Sequence, residues 1–139
     1  MSIPTLPPDY RPSDSEPFMN PVMREYFRQK LLRWRSDLLL DSTETLQHLQ
    51  EDNVSEADLA DRASTETDRS IELRTRDRER KLIQKIDEAL RRIEENSYGF
   101  CEDTAEPISI KRLEARPIAT LSLEAQERHE RLERTQREE

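Results

Sequence analysis

Cys101 is the side chain whose chemistry is most distinctive in this sequence, because the stretch around it reads like part of a small four-thiolate zinc module. That stretch runs from Tyr98 to Pro117. A structural zinc site of this class needs four soft thiolates in a tetrahedral array, and the chain has one cysteine. The two histidines, His48 and His129, are far apart and have no partner at ligand spacing. The sequence therefore predicts no bound metal.

Two aspartates, Asp58 and Asp61, are a second candidate for chemistry, and Ala63 follows them closely. Their spacing of three puts both carboxylates on one face of a helix. An exposed pair of this kind could approach a Mg²⁺ region or a basic loop of a partner. The pattern alone favours a structural role, since acids in a first turn commonly complement the helix dipole.

A basic stretch between Arg69 and Lys85 contains seven Lys or Arg residues interleaved with acids. By itself this pattern is typical of a solvated helix face with intrahelical ion pairs. The sequence has no Gly-rich phosphate loop, no Ser/His/Asp set and no cluster with metal-ligand spacing. It therefore predicts a protein that is not an enzyme.

The composition favours an elongated helical protein. Of the 139 residues 32% are hydrophobic and 39% are charged, with a mean hydropathy of -1.04, which is too polar for an ordinary compact core. Such a chain is disordered or forms helices that mostly face water. A single glycine and many strong helix formers favour helices.

The charge and the apolar patterning exclude several classes of partner. A net charge of -8 argues against direct DNA binding, which needs a basic stripe. No apolar run approaches the roughly 20 residues of a membrane span. The first ten residues are proline-rich and lack the apolar centre of a signal peptide. Together with the unpaired cysteine, these features predict a cytoplasmic protein with no membrane partner.

Apolar spacing predicts an antiparallel coiled-coil hairpin over residues 20–97, with its tip near 53–63. Residues 1–19 are predicted to be extended or disordered, and Asn20-Pro21 has the form of a helix start. The first seam comprises two series, Phe27, Leu31, Trp34 and Leu38, and Leu32, Leu39 and Leu46. The second seam comprises Leu82, Ile86, Ala89 and Ile93. Seams that pair internally favour a monomer.

Residues 98–139 are predicted to form a small globular region and a final helix. Gly99 is the expected end of the second long helix, and Ser122 is the expected cap of the last one. The segments Ile108–Ile110 and Ile118–Leu121 have β propensity. The expected core consists of Tyr98, Phe100, Ile108, Ile110, Leu113, Ile118 and Leu121, and Tyr26, Phe27 and Trp34 are expected to anchor the hairpin.

Three blocks of this sequence resemble the DksA/TraR family of bacterial transcription factors. They are Asp58–Ala63, Glu72–Ile83 and Arg112–Pro117, and the similarity runs without gaps from about Phe18 to His129. The resemblance implies a mainly α fold, with a long antiparallel two-helix arm on a small knob that is a degenerate zinc finger plus a C-terminal helix.

The resemblance also implies a function. Family members insert the arm into the secondary channel of RNA polymerase and change open-complex stability at rRNA and amino-acid promoters, with guanosine tetraphosphate (ppGpp) as effector in the stringent response. They bind no promoter DNA themselves. On this basis Asp58, Asp61 and Ala63 are the tip residues that act on polymerase, and part of the basic stretch contacts the channel rim.

Two further sets of residues follow from the resemblance. Leu82, Lys85, Arg116 and Gln126 match the interface where ppGpp meets polymerase, and Gln126 replaces a basic residue of the family pattern. Cys101, Thr104, Ser122 and Ala125 match the four cysteine positions of zinc-containing relatives. Because Thr, Ser and Ala cannot replace thiolates, no zinc is expected. Cys101 is then either a small buried hydrophobe or a redox-sensing thiol.

Two other functions remain to be distinguished. A structural or adaptor coiled coil without a role in transcription would not need Asp58 and Asp61 at an exposed tip. A transcript-cleavage factor would also carry an acidic tip, but the block Arg112–Pro117 argues against that family.

Overall fold

The computed structural model describes residues 4–52 and 59–138, with the backbone alone for 42–52, 59–65 and 137–138. The described residues form four helices, α1 (Pro21–Asp52), α2 (Leu59–Glu94), α3 (Ile110–Ala115) and α4 (Leu123–Glu138). Within those residues there is no strand, only an isolated antiparallel bridge between Phe100 and Pro107. None of the described helices is both long and apolar enough for a membrane span. The predicted mainly α class is confirmed.

The chain divides into two compact units that both contain part of α1 and α2. The first unit comprises Met1–Leu31 and Glu88–Glu139, and the second comprises Leu32–Asp87. The first unit therefore combines the base of the helical hairpin with α3 and α4, whereas the second contains only hairpin.

The start of α1 follows the predicted capping pattern. The Asn20 side chain accepts a hydrogen bond from the Met23 amide at 3.0 Å, and its carbonyl accepts one from the Arg24 amide at 3.0 Å. Pro21 occupies the first helical position, where its missing N–H leaves no unsatisfied donor. The prediction of a helix start at this dipeptide is confirmed.

Only one of the two apolar series on α1 is buried. Phe27 and Leu31 are fully buried in the first unit and Leu38 is buried in the second, whereas Leu32 and Leu39 are 39% and 43% exposed. The prediction that both series form the seam is wrong for these two leucines. Each lies one residue past a seam position, about 100° away around the helix, and a single partner helix covers only a narrow stripe. Leu46 lies outside the described side chains.

The predicted seam on α2 is confirmed at three of its four positions, and Leu82, the fourth, is half-buried. Ile86 is fully buried in the second unit, and Ala89 and Ile93 are buried in the first. In the second unit the guanidinium Nε of Arg35 on α1 lies 2.7 Å from Oδ1 of Asp87 on α2. Since the connection between the two helices is short, the helices that this ion pair joins run antiparallel.

The end of α2 is set by Asn96 rather than by Gly99. Asn96 has a φ of 63°, its amide donates to the Ile93 carbonyl, and the Ser97 amide donates to the Arg92 carbonyl at 2.9 Å. These bonds form a Schellman motif. Gly99, with a φ of 91°, has a different role, because an added Cβ would lie 3.0 Å from the Met19 side chain. The prediction that Gly99 ends the helix is wrong by three residues.

The C-terminal region of the first unit is built on the predicted core but without strands. The buried side chains of this region are Tyr98, Cys101, Ile108, Ile110, Leu113, Ile118, Ala119 and Ala125. Contrary to the prediction, Phe100 is exposed and Leu121 is only half-buried. Ile110 begins α3 because the Ser109 hydroxyl accepts a hydrogen bond from the Arg112 amide at 3.2 Å. This N-cap overrides the β propensity of isoleucine.

The described part of the N-terminal segment, residues 4–20, is irregular but makes defined contacts. The rings of Tyr10 and Tyr26 meet edge to face at 5.8 Å. The Glu16 carboxylate accepts hydrogen bonds from the Tyr10 hydroxyl at 2.8 Å and from the Ser13 amide at 2.9 Å. Burial, together with the Glu16 carboxylate, raises the pKa of Tyr10 to about 12. These contacts, with a hydrogen bond from the Tyr10 amide to the Pro7 carbonyl at 3.1 Å, hold the segment in irregular turns.

Candidate functional site

The four residues at the expected cysteine positions form a small cluster between the loop after Cys101 and the start of α4. Cys101 is 2% exposed and Ala125 is fully buried. The Cys101 sulfur accepts hydrogen bonds from the Thr104 hydroxyl and from the Ser122 amide. The Ser122 hydroxyl in turn accepts one from the Ala125 amide at 3.2 Å, which caps α4 as predicted. Ordinary hydrogen bonds thus join positions that a metal joins in zinc-containing proteins.

The donor set of this cluster does not fit zinc. It offers one thiol, two hydroxyls and a methyl group, and zinc sites of this class use thiolates or imidazoles. The hydroxyl of Thr104 and that of Ser122 are already engaged, with the Cys101 sulfur and the Ala125 amide. Among the side chains that the structure describes, no group of three or more His, Cys, Asp or Glu residues could hold a metal ion.

The environment of Cys101 favours its thiolate. Burial opposes ionisation, but hydrogen bonds from Thr104 and from the amides of Ser122 and Asp103 outweigh it and lower the pKa of the thiol to about 6. A buried sulfur is what the small-hydrophobe interpretation predicts. A lowered thiol pKa is what the redox-sensing interpretation requires. Sequence patterns contain no signal for these backbone donors.

Arg116 lies at the C-cap of α3, where its amide donates to the Arg112 carbonyl at 2.7 Å. Its side chain is exposed and borders an open pocket of about 330 Å³. The residues that line this pocket are Ser109, Lys111, Arg112, Ala115, Arg116 and Leu123. Three cationic side chains therefore border one concavity, which suits an anionic ligand.

Two of these cations were not predicted as site residues. Lys111 directly precedes the block Arg112–Pro117 and Arg112 begins it, but neither was assigned to the interface. For Arg112 the four-residue spacing from Arg116 was the available signal, because a helix brings residues four apart to one face. The five-residue spacing of Lys111 gave no such signal. A further hydrogen bond fixes the side chain of Arg112, whose Nε donates to the Leu121 carbonyl at 2.8 Å.

The other predicted interface residues lie on different elements. Lys85 is exposed and Leu82 half-buried on α2, in the second unit. Gln126 is half-buried on α4, in the first unit, and its amide nitrogen lies 3.3 Å from the Glu130 carboxylate. The structure thus places Arg116 and Gln126 in one compact unit and Leu82 and Lys85 in the other.

The predicted tip residues lie at the limit of the described structure. Asp58 is outside the described residues, and Asp61 and Ala63 belong to the start of α2 with side chains outside them. His48 is likewise on α1 without a described side chain. His129, by contrast, forms a contact of 2.6 Å between its Nε2 and Oδ2 of Asp103.

The aromatic anchors of the hairpin are confirmed in the first unit. Phe27 packs against Tyr98 with 5.7 Å between ring centroids, and Tyr26 meets Phe27 edge to face. The buried Tyr98 hydroxyl donates to the Pro117 carbonyl at 2.7 Å. Burial raises the pKa of this phenol well above its ordinary value. Trp34, in the second unit, is half-buried.

Comparison with known proteins covers nearly the whole chain. Residues 23–93 match the family described as DnaK suppressor protein DksA, N-terminal domain, and residues 96–131 match the prokaryotic dksA/traR C4-type zinc finger. The zinc-finger family thus matches a segment in which only Cys101 is a cysteine.

Individual relatives agree with these matches. The chain is 65% identical over 130 residues to the RNA polymerase-binding transcription factor DksA of Caulobacter vibrioides strain NA1000, covering 94% of this chain and 92% of that protein. It is 41% identical over 115 residues to the protein of the same name from Escherichia coli K12, covering 83% and 76%.

A solved structure extends the agreement to the fold. Transcription factor DksA2 from Pseudomonas aeruginosa is similar with a TM-score of 0.79 and 43% identity, covering 84% of this chain and 90% of that one. The chain therefore belongs to the DksA/TraR family and matches its DksA members, as the three sequence blocks predicted.

Proposed function

We propose that this chain is a transcription factor, not an enzyme, that binds bacterial RNA polymerase in the cytoplasm. As a monomer, it inserts its α1–α2 hairpin into the secondary channel and changes open-complex stability at rRNA and amino-acid promoters. The observation that carries this proposal is the 65% identity, over 94% of the chain, to a protein named an RNA polymerase-binding transcription factor.

The register of the hairpin supports placing the action at Asp58, Asp61 and Ala63. Residues of an antiparallel helical pair contact each other symmetrically about the turn that joins them. Arg35 and Asp87 form an ion pair, and the residue midway between them in the sequence is Asp61. Since α1 ends at Asp52 and α2 begins at Leu59, this midpoint lies in the first turn of α2, next to the connection between the two helices.

The test is the lifetime of an rRNA-promoter open complex formed by the cognate polymerase, measured with and without the protein. We expect the wild type to shorten the lifetime and Asp61→Asn to lose most of that effect. Asp68→Asn is the matched control, because Asp68 is an exposed aspartate on the same helix, about two turns away. It should act like the wild type.

Two results would contradict the proposal. If folded wild-type protein left the lifetime unchanged, an adaptor role would be favoured instead. If Asp61→Asn and Asp68→Asn had equal effects, the action would not lie at the tip.

The effector proposed for this complex is ppGpp, bound where Leu82, Lys85, Arg116 and Gln126 meet polymerase. Lys85 and Arg116 support this because both side chains are exposed cations, suited to phosphate contact. Gln126 contributes no charge, so the response should be weak for the family. Gln126→Lys should lower the half-maximal ppGpp concentration about fivefold, the value of one partly exposed ion pair. Gln136→Lys, an exposed substitution of the same type on α4, should leave it unchanged.

Zinc independence is part of the proposal. The support is the donor set at Cys101, Thr104, Ser122 and Ala125, whose hydrogen bonds replace metal bonds. Protein purified from cells grown with added zinc should contain far less than one zinc per chain by elemental analysis. The triple variant Thr104→Cys, Ser122→Cys, Ala125→Cys should bind about one. Stoichiometric zinc in the wild type would contradict this part of the proposal.

A further inference from the structure

The orientation of α3 decides where the Arg116 side chain points, and α3 is too short to hold itself. It has six residues, fewer than an isolated helix needs for stability in water. Its inner face buries Ile110 and Leu113. Arg116 comes directly after its last residue, so any fraying of the last turn of α3 moves this guanidinium.

The last turn of α3 receives a cation from α1. The Lys30 ammonium donates to the Glu114 backbone carbonyl at 2.9 Å and to the Glu114 carboxylate at 2.8 Å. The last four carbonyls of a helix have no partner inside the helix. A lysine that donates to one of them satisfies it and interacts favourably with the negative end of the dipole. Lys30, on α1, therefore caps the C-terminus of α3. The carbonyl that it caps belongs to Glu114, two residues before Arg116.

Neighbouring groups reinforce this cap. The Lys30 ammonium also lies 5.9 Å from the centre of the Tyr26 ring, on the preceding turn of α1. Partial burial opposes ionisation of Glu114, but hydrogen bonds from Lys30 and from the Tyr26 hydroxyl hold the pKa of that carboxyl below its ordinary value. Arg11 adds a further positive charge beside the same carboxylate. All four residues belong to the first unit.

We propose that Lys30 is a positioning residue for the ppGpp response: it caps the C-terminus of α3 and so holds Arg116 in the direction in which it meets a phosphate. This inference rests on the proposed function, since it presumes that Arg116 contacts ppGpp. Lys30 itself does not contact the effector. Two of its three N–H donors are engaged by the Glu114 oxygens, and its role passes through the backbone of α3.

The test compares full-length variants in the open-complex assay over a ppGpp titration. Lys30→Met keeps most of the length of the side chain and removes its donor. We expect it to raise the half-maximal ppGpp concentration about fivefold, while the effect of the factor without ppGpp and its melting temperature change little. Lys30→Arg, which keeps donors and charge, should restore most of the response.

Control variants separate this inference from the proposed function. Arg33→Met removes an exposed cation three residues further along α1 and should leave the titration unchanged. Arg116→Met should abolish the ppGpp response, and adding Lys30→Met to it should have no further effect.

Each failure has its own signature. If Arg116→Met keeps the full response, the proposed ppGpp interface is wrong, whatever Lys30 does. If Arg116→Met loses the response and Lys30→Met keeps it, the positioning role is overturned and the interface stands. A loss in Lys30→Met that Lys30→Arg does not restore, or one matched by Arg33→Met, also overturns it.

Discussion

The two compact units of this protein are stabilised in opposite ways. The first is organised around a core of fully buried side chains, among them Phe27, Leu31, Ile108 and Leu113. In the second, Leu38 and Ile86 are the buried hydrophobic residues among the described side chains, while Leu40 is 61% exposed. Packing therefore holds the first unit, whereas the second depends on helix propensity, a narrow seam and ion pairs. Most of the stability should therefore lie in the first unit.

The largest effect should come from a cavity in the first unit. Phe27→Ala removes a fully buried ring that packs against Tyr98, and should lower the free energy of unfolding by about 3–5 kcal/mol. Leu40→Ala, an apolar truncation in the second unit, should cost about 0.5 kcal/mol or less. Urea unfolding followed by circular dichroism measures both. Equal losses would break the contrast between the units.

A smaller change in the free energy of unfolding should accompany the ionisation of Cys101 in the first unit. The folded-state pKa of about 6 lies below that of an unfolded thiol, about 8.5. The stabilisation is therefore fully present above the unfolded value and is lost as pH falls through about 6. Relative to Cys101→Ser, the free energy of unfolding of the wild type should rise by about 3 kcal/mol as pH rises between these limits.

This pH effect is measured by urea unfolding under reducing conditions over a buffer series. His129→Gln is the control, because the His129 ring contacts Asp103, whose amide donates to the Cys101 sulfur, and the substitution leaves the thiol itself in place. A difference between wild type and Cys101→Ser that does not vary with pH would mean that the thiol stays protonated.

Disturbing the contact between Gly99 and the N-terminal segment should lower the free energy of unfolding by about 1–2 kcal/mol. Gly99→Ala forces a side chain into a backbone with positive φ and places its Cβ 3.0 Å from Met19. Asn96→Gly is the matched comparison, because Asn96 also has positive φ, and glycine adopts that conformation without strain. Thermal unfolding should show a loss for the first and little change for the second. If Gly99→Ala left the thermal unfolding unchanged, the N-terminal segment would have moved to make room for the added Cβ.

The smallest effect should come from the ion pair that joins the helices of the second unit. Arg35 and Asp87 are 35% and 50% exposed, so a double-mutant cycle of Arg35→Ala and Asp87→Ala should give a coupling of about 0.5 kcal/mol. About 1 M salt should remove most of it. A coupling that persists at high salt would show that the second unit is held more tightly than its exposure indicates.

The long helices and their buried faces could be predicted because periodicity and capping are local. The helix start at Asn20-Pro21 was predicted correctly, because its signal acts through near neighbours. The same holds for the buried positions Phe27, Leu31 and Leu38 on α1 and Ile86, Ala89 and Ile93 on α2. Trp34 and Leu82, predicted in the same two series, are half-buried. Leu32 and Leu39 were not predicted correctly, since seven-residue spacing alone does not say which of two adjacent stripes a partner helix covers. The end of α2 was misplaced because Asn96, like glycine, can adopt a left-handed conformation.

In the candidate site, too, some features could be predicted from the sequence and others could not. The residue types at Cys101, Thr104, Ser122 and Ala125 by themselves argue against zinc, because ligand chemistry is a property of the side chains. Of the hydrogen bonds that lower the Cys101 pKa, the one from the Thr104 side chain depends on residue type, whereas the others come from backbone amides, and the direction of an amide is not encoded in residue type.

The sequence by itself determined the helical class, the family and the chemistry missing from the zinc positions, because each depends on residue identity and short-range spacing. Only the tertiary structure decided that Ser109 turns a β-prone segment into α3, and that Lys30, 84 residues before Glu114, caps this helix. Contacts between distant segments depend on how a whole core packs, and no local pattern in the chain specifies that packing.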